Sequence, residues 1–139
     1  MKILITGGAG FIGSNLAFSL LEKGHSITII DNLISGNLKN LEKFNFDFIK
    51  GDISKLDLVS KFKEQKFDII FHEAAITDTT FTDDSEMLRA NVDGFKNILA
   101  LASNLKAGLI YASSAAIYGR GKNPMYENQE PMPLNAYAI

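Results

Sequence analysis

Three evenly spaced glycines mark the most informative stretch of the chain. Gly7, Gly10 and Gly13 follow the short apolar run Lys2–Thr6, and a helical pattern of apolar residues starts at Phe11. Positions without a side chain let the backbone turn tightly and approach a pyrophosphate, and free N–H groups at a helix start attract phosphates. The spacing therefore predicts a nucleotide-binding loop between a strand and a helix. A glycine-rich turn without a ligand is the plainer alternative.

An acidic residue follows at the position where a bound nucleotide would need a hydrogen-bond acceptor. Asp31 lies 18 positions after Gly13, at the end of the next predicted strand, where its carboxylate could accept hydrogen bonds from an adenosine ribose. A carboxylate there favours NAD over NADP, because it repels a 2′-phosphate. Asn32 and Lys39 follow and could accommodate that phosphate, so both cofactors stay open. The alternative role of Asp31 is to form a turn at the strand end.

Composition excludes several classes of function. The 139 residues are 46% hydrophobic and 22% charged with a formal charge of -2, which is globular and gives no basic surface for nucleic acid or a membrane. The absence of cysteine excludes disulfides, thiolate metal sites and a cysteine nucleophile. Two histidines, His25 and His72, are too few for a metal cluster by themselves, so we expect no metal. Because the N-terminus shows no separate signal-peptide pattern, we expect a soluble cytoplasmic protein.

Short apolar runs alternate with helical patterns, which is typical of a parallel sheet built from strand, helix and strand units. Right-handed crossovers predict a doubly wound α/β sheet, the Rossmann fold, with strand order 3-2-1-4-5. Since a six-stranded sheet needs a further helix and strand, we expect residues 1–139 to be the dinucleotide-binding part of a longer protein. The expected strands are Lys2–Thr6, Ser26–Ile30, Phe46–Lys50, Asp68–Phe71 and Leu109–Ser113, and the expected helices are Phe11–Lys23, Leu56–Gln65 and Asp84–Lys106.

Asn91 interrupts an apolar stripe on the third expected helix. The stripe runs from Leu88 through Asn91 and Phe95 at alternating steps of three and four residues. A buried amide without partners costs about 1–3 kcal/mol, so we expect specific hydrogen bonds to Asn91. The partner could be a neighbouring loop or a ligand.

Six motifs stand in a fixed order along the chain. They are TGGAGFIG from Thr6, DNL from Asp31, GDI from Gly51, HEAA from His72, SSAAIYG from Ser113 and PLNAY from Pro133. Together they resemble the extended short-chain dehydrogenases that act as nucleotide-sugar epimerases and dehydratases. Within that family, FHEAAITDTT and YASSAAIYG look most similar to the ADP-glyceromanno-heptose 6-epimerases of lipopolysaccharide inner-core synthesis.

The resemblance implies one tightly bound NAD or NADP per subunit and assigns its contacts by position. It places the pyrophosphate at the glycine loop, the ribose at the acid after the second strand, the adenine edge at the next loop and further contacts after the fourth strand. The implied cofactor contacts are Gly7, Gly10, Phe11, Ile12, Asp31, Asn32, Lys39, Asp52, Ile53, Glu73, Ala74, Ala75, Ile76, Thr77 and Asn91. Thr79, in the polar run after these residues, is expected to contact the substrate, although a plain surface loop is the alternative.

The same resemblance implies a catalytic serine and tyrosine. Ser114 matches the serine that hydrogen-bonds the substrate oxygen, and a serine in a tight turn at a strand end is its alternative role. Tyr137 matches the tyrosine that acts as a base. A free phenol has a pKa of about 10, so it needs positive charge nearby, which a lysine four residues later supplies in the family. Since that position lies beyond Ile139, we expect residues 1–139 alone to bind dinucleotide at best.

The implied activity is epimerisation of a nucleotide sugar by transient oxidation and reduction, with ADP-heptose 6-epimerisation as the first expectation. A UDP-hexose 4-epimerase shares nearly every motif and stays open, as does a dinucleotide-binding protein without catalysis. A 4,6-dehydratase would need an acidic pair in place of Ala115 and Ala116. The resemblance also implies a homo-oligomer that pairs through the helices after the fourth strand and after Tyr137, and a substrate lobe outside this sequence.

Overall fold

The computed structural model describes residues 1–43, 45–78 and 80–138. Five parallel strands form one sheet in the order β3-β2-β1-β4-β5, which confirms the predicted fold and strand order. The strands are β1 (Lys2–Thr6), β2 (Ser26–Asp31), β3 (Asp47–Lys50), β4 (Ile69–His72) and β5 (Gly108–Tyr111). The helices are α1 (Phe11–Glu22), α2 (Leu58–Lys61), α3 (Asp84–Leu88) and α4 (Gly94–Leu105).

The central strands are covered by apolar side chains on both faces. In β1, Leu4 belongs to the cluster that includes Ile98 and Leu101 of α4. Ile3 and Ile5 point the other way, into the cluster that includes Ala17 of α1. Because successive residues of a strand alternate between faces, a continuous apolar run such as that of β1 is buried on both sides.

The second and third helices differ from the sequence expectation. The helix expected over Leu56–Gln65 is only α2, which begins after the Asp57 cap and ends at Lys61. The helix expected over Asp84–Lys106 is not regular, because a π-helical turn at Arg89–Asp93 separates α3 from α4. That turn contains Asn91, and π turns are frequent at functional sites.

The segment after β5 is irregular, as its prolines and polar residues predicted. The expected fifth strand, Leu109–Ser113, instead ends at Tyr111. Short 3₁₀ turns follow at Ala115–Tyr118 and Ala136–Ala138, and these two turns pack against each other. Across the described residues, no helix combines the length and the apolar character needed to cross a membrane.

Candidate functional site

A cleft of about 410 Å³ lies where the loops after β1, β2, β3 and β4 meet the π turn. Parallel doubly wound sheets bind ligands at this edge, outside the carboxyl ends of their strands. Of the predicted cofactor contacts, those that line the cleft are Gly7, Gly10, Phe11, Ile12, Asp31, Asn32, Asp52, Ile53, Glu73, Ala74, Ala75, Ile76, Thr77 and Asn91. Lys39 is exposed and does not belong to this lining, and Thr79 lies outside the described residues.

The glycine loop cannot carry side chains at two of its positions. Gly7 has a φ of 67°, and a Cβ there would lie 2.7 Å from the backbone nitrogen of Ala74. A Cβ on Gly13 would overlap the carbonyl oxygen of Gly7. Glycines therefore allow β1, β4 and the start of α1 to approach one another at the floor of the cleft.

The start of α1 faces the cleft with free backbone donors. Gly10 caps the helix without a side-chain hydrogen bond, and no acidic residue occupies the first turn. The first helical turn leaves its N–H groups without partners inside the helix, and the helix dipole adds positive charge there. Phe11 and Ile12 in that turn are largely exposed. These N–H donors at the start of α1 fit the phosphates of a dinucleotide.

Asp31 is buried and holds two loops together. One carboxylate oxygen accepts the backbone N–H of Ala9 at 2.9 Å, and the other accepts the N–H of Leu33 at 2.8 Å. The bond to Leu33 is the local turn that the sequence offered as an alternative role for Asp31. The bond to Ala9 adds a role that the sequence did not reveal, because it fixes the glycine loop across the sheet from β2.

The loop after β2 also contacts the glycine loop at Ala9. The carbonyl oxygen of Ala9 accepts hydrogen bonds from the backbone N–H of Asn37 at 3.0 Å and from the side chain of Asn40 at 2.8 Å. Residues of this loop that the sequence analysis missed line the cleft, namely Ile34, Ser35 and Gly36. A glycine soon after the acid was the available signal, since a Cβ on Gly36 would lie 2.7 Å from a carboxylate oxygen of Asp31.

Asp52 forms the wall after β3. One carboxylate oxygen accepts the hydroxyl of Ser54 at 2.6 Å and its N–H at 2.9 Å, while Arg89 and Lys55 each lie 3.5 Å from the other oxygen. Burial alone would raise the pKa of the Asp52 carboxyl, but the hydrogen bonds from Ser54 and the charge of Arg89 together hold that pKa below its usual value. Asp52 is thus a fixed anion at the cleft wall.

Asn91 holds the wall after β4. Its side-chain oxygen accepts the N–H of Ile76 at 2.8 Å, and its side-chain nitrogen donates to the carbonyl of Ile76 at 3.0 Å. The expected specific hydrogen bonds to Asn91 are therefore present, and their partner is a neighbouring loop. Because Asn91 also lines the cleft, it both shapes the wall and forms part of it.

Two further titratable groups lie at the end of β4. His72 is buried, with its Nδ1 2.8 Å from the hydroxyl of Thr6, and burial lowers its pKa to about 4. Glu73 lines the cleft, and partial burial raises the pKa of its carboxyl. The described residues contain no group of three or more side chains able to hold a metal ion.

The predicted catalytic pair lies in the segment that follows β5. Ser114 caps the first 3₁₀ turn, its hydroxyl accepting the N–H of Ala116 at 3.1 Å. Tyr137 is half-buried in the second 3₁₀ turn, which packs against the first and against α3. Neither residue belongs to the described lining of the cleft, and no hydrogen bond between them is seen among the described residues. The structure therefore brings the turns that carry the two predicted catalytic residues together.

Glycine at position 119 lets these turns meet. The N–H of Met132 donates to the carbonyl of Ile117 at 2.8 Å, which returns the loop towards the first 3₁₀ turn. Gly119 has a φ of 42°, and a Cβ there would overlap the carbonyl oxygen of Met132. This crossing requires glycine and was not anticipated from the sequence.

Comparisons with known proteins agree on the family of this fold. The model of the NAD dependent epimerase/dehydratase family matches residues 3–139. The chain is 41% identical over 142 residues to ADP-L-glycero-D-manno-heptose-6-epimerase of Brachyspira hyodysenteriae, covering 99% of this chain and 45% of that protein. It is 40% identical over 132 residues to UDP-N-acetyl-alpha-D-glucosaminuronate decarboxylase of Bacillus cytotoxicus, covering 93% of this chain and 41% of that protein.

The solved structures give the same result for the fold. The UDP-glucose 4-epimerase of Thermotoga maritima, crystallised with UDP-glucose, superposes with a TM-score of 0.92 at 30% identity. The superposition covers 99% of this chain and 47% of that one. The chain thus spans less than half the length of these relatives.

Proposed function

Because the chain belongs to the NAD dependent epimerase/dehydratase family, we propose that its cleft binds one dinucleotide, NAD or NADP, along the carboxyl edge of the sheet. The N–H groups at the start of α1 would hold the pyrophosphate, as helix starts do for other anions. Asp31 and Asn32 would hold the adenosine ribose, with Asp52 and Ile53 at the adenine edge. The cradle of glycines at the start of α1 is the observation in support of this placement.

The charge of the cleft favours NAD over NADP. Its described lining includes the carboxylates of Asp31, Asp52 and Glu73 but no lysine or arginine. Lys39, the cation that the sequence offered for a 2′-phosphate, does not lie in that lining. A phosphate on the adenosine ribose would therefore lie beside the Asp31 carboxylate, with no lysine or arginine in the described lining to pair with it.

We further propose that the complete protein epimerises a nucleotide sugar. When bound in this cleft, the dinucleotide would supply the reversible hydride acceptance that such an epimerisation needs. Tyr137 would remove the proton of the reacting hydroxyl as a phenolate and return it in the second half of the reaction, a role for a general base. Ser114 would donate a hydrogen bond to the oxygen that becomes a carbonyl.

The substrate proposed is ADP-D-glycero-D-manno-heptose, inverted at its exocyclic C6″. The observation that carries this choice is the 41% identity to the Brachyspira heptose epimerase over 99% of the chain. UDP-glucose is the second candidate, because the Thermotoga 4-epimerase superposes closely. The 40% identity to a UDP-sugar decarboxylase shows how little the nucleotide-binding half distinguishes these substrates.

The test is turnover by the complete purified protein. ADP-D-glycero-D-manno-heptose, UDP-glucose and UDP-N-acetylglucosaminuronate are each incubated with it, and the products are followed by NMR. Epimer from the heptose substrate alone is expected. Tyr137→Phe should lower kcat about 10²–10⁴-fold, the usual range for loss of a general base, whereas the exposed Tyr126→Phe should not. Dinucleotide binding without turnover of any of the three sugars would favour a non-catalytic binding protein.

A further inference from the structure

Arg89, in the π turn, reaches two other segments of the chain. Its guanidinium makes a two-pronged contact with Glu86 of α3 and donates a hydrogen bond to the hydroxyl of Ser54. Its Nη2 also lies 3.5 Å from a carboxylate oxygen of Asp52. The Ser54 hydroxyl in turn donates to the other carboxylate oxygen of Asp52. Arg89 therefore contacts Asp52 directly and through Ser54.

The side chains that make these contacts are partly buried. About 28% of the Arg89 side chain and 19% of the Asp52 side chain are exposed to solvent. The contact with Glu86 fixes the plane of the guanidinium, because two parallel N–H groups meet two carboxylate oxygens. With its plane fixed, the remaining donors of Arg89 are aimed at the loop after β3.

The loop after β3 is anchored at its backbone, since the N–H of Gly51 donates to the carbonyl of Asp31 at 2.9 Å and the N–H groups of Lys55 and Leu56 each donate to the carbonyl of Asp52 at 3.1 Å. It follows β3, which lies at the edge of the sheet formed by the described residues and pairs with β2. Two further contacts anchor the adjacent residue, since Asn97 donates to the carbonyl of Ile53 at 2.9 Å and the side chain of Ile53 packs against Gly94. At the Asp52 side chain, Arg89 adds a contact from a distant segment to the local contacts from Ser54 and Lys55.

The π turn therefore serves both walls of the cleft. Ala90 itself lines the cleft, Asn91 holds the Ile76 loop after β4, and Arg89 holds the loop after β3. Arg89 and Asn91 are two residues apart, so their side chains leave the helical stretch in different directions and can reach different walls.

We propose that Arg89 is a positioning residue for the adenosine half of the dinucleotide. It acts through Asp52 and Ser54, because it fixes their side chains before the ligand binds. The entropy cost of ordering this wall is then not subtracted from the binding free energy. This inference rests on the proposed function only in that the cleft must bind a dinucleotide with its adenosine over the loop after β3.

The test is a double-mutant cycle on ligand binding. Arg89→Gln, Ser54→Ala and the double variant of the complete protein, freed of bound nucleotide, are titrated calorimetrically with ADP and separately with NAD. Lys96→Gln is the matched control, because Lys96 makes an exposed ion pair with Asp93 on the same helical stretch. Thermal unfolding of each ligand-free variant is recorded beside the titrations.

Arg89→Gln should weaken ADP and NAD binding equally, each about tenfold, and the two substitutions should combine less than additively, as coupled neighbours do. Lys96→Gln should bind both ligands like the wild type. A loss of thermal stability with unchanged ADP affinity would overturn the proposal, as would additive effects on affinity. If Arg89→Gln does not fold, Ser54→Ala decides alone, and unchanged ADP affinity in that variant overturns the proposal.

Failure of the proposed function gives a different result. A wild-type protein that binds neither ADP nor NAD would contradict the assignment of the cleft itself. A wild type that binds both ligands, with Arg89 variants that bind them equally well, would contradict the role of Arg89 alone.

Discussion

Acidification should destabilise the fold through His72. The ring is 7% exposed and packs against Phe95, with 5.6 Å between ring centroids. The hydroxyl of Thr6 accepts the N–H of Ala74 at 3.2 Å and has one hydrogen of its own, which satisfies Nδ1 of a neutral His72. A proton on Nδ1 would remove that acceptor and place a charge among apolar groups.

The size of the effect follows from the pKa of His72 in the two states. Burial lowers that pKa from 6.5 to about 4, so the unfolded chain takes up the proton first as the pH falls. Stability is therefore complete above pH 6.5 and is lost between pH 6.5 and 4. By linkage, the loss is about 1.4 kcal/mol at pH 5.5 and about 3.4 kcal/mol well below pH 4.

The assay is urea unfolding of the ligand-free protein at several pH values between 7.5 and 4.5. His72→Asn keeps a side-chain acceptor but cannot titrate, so its stability deficit relative to the wild type should shrink as the pH falls. The difference between the two proteins also cancels the contribution of Glu73, whose raised pKa acts in the opposite direction. His25→Asn, at the partly buried residue just before β2, is the control. A deficit that stays constant from pH 7.5 to 4.5 would refute the reasoning.

Three further substitutions test the cleft, and a fourth, Gly24→Ala, is their control. Gly13→Ala should lower the free energy of unfolding by about 2–3 kcal/mol and abolish NAD binding measured by calorimetry, because its Cβ would overlap backbone. Gly24→Ala, where a Cβ meets open space at a φ of 80°, should cost only about 1 kcal/mol and leave binding unchanged. Asn91→Ala should cost about 1–3 kcal/mol in urea unfolding, since both backbone groups of Ile76 lose their partner. Asp31→Ala should cost about 3 kcal/mol and weaken NAD binding, and unchanged affinity would contradict its role in the cleft.

The strand order could be predicted because it depends on local signals. Each strand is visible in the sequence as a short apolar run. The right-handedness of the crossover connections then determines which strands are neighbours in the sheet. The boundaries of the helices were harder to predict from the sequence. Leu58 and Phe62 are both buried, so the apolar pattern was correctly located, but it does not reveal that only Leu58–Lys61 is helical. The spacing of Leu88 and Phe95 likewise gives no sign of a π turn between them.

The cleft was predicted where a motif is contiguous and missed where it is not. The glycine loop and Asp31 can be read from a strand, a turn and a helix that follow one another. Arg89 had no such signal, because its partner Ser54 lies 35 residues away and is brought near only by the packing of the helix on the sheet. Gly119 is similar, since its need for glycine arises from a contact with Met132.

The walls of the cleft are loops, so their polar contacts should determine ligand binding as well as contribute to stability. Asp31 holds the glycine loop, Arg89 holds the loop after β3 and Asn91 holds the loop after β4. The apolar clusters on the two faces of the sheet, in contrast, fix the strands but not the loops beyond them. Loss of a polar contact should therefore reduce ligand affinity more than a truncation in the core of equal cost, because the core change lowers the folded fraction and leaves the cleft of the folded molecules intact.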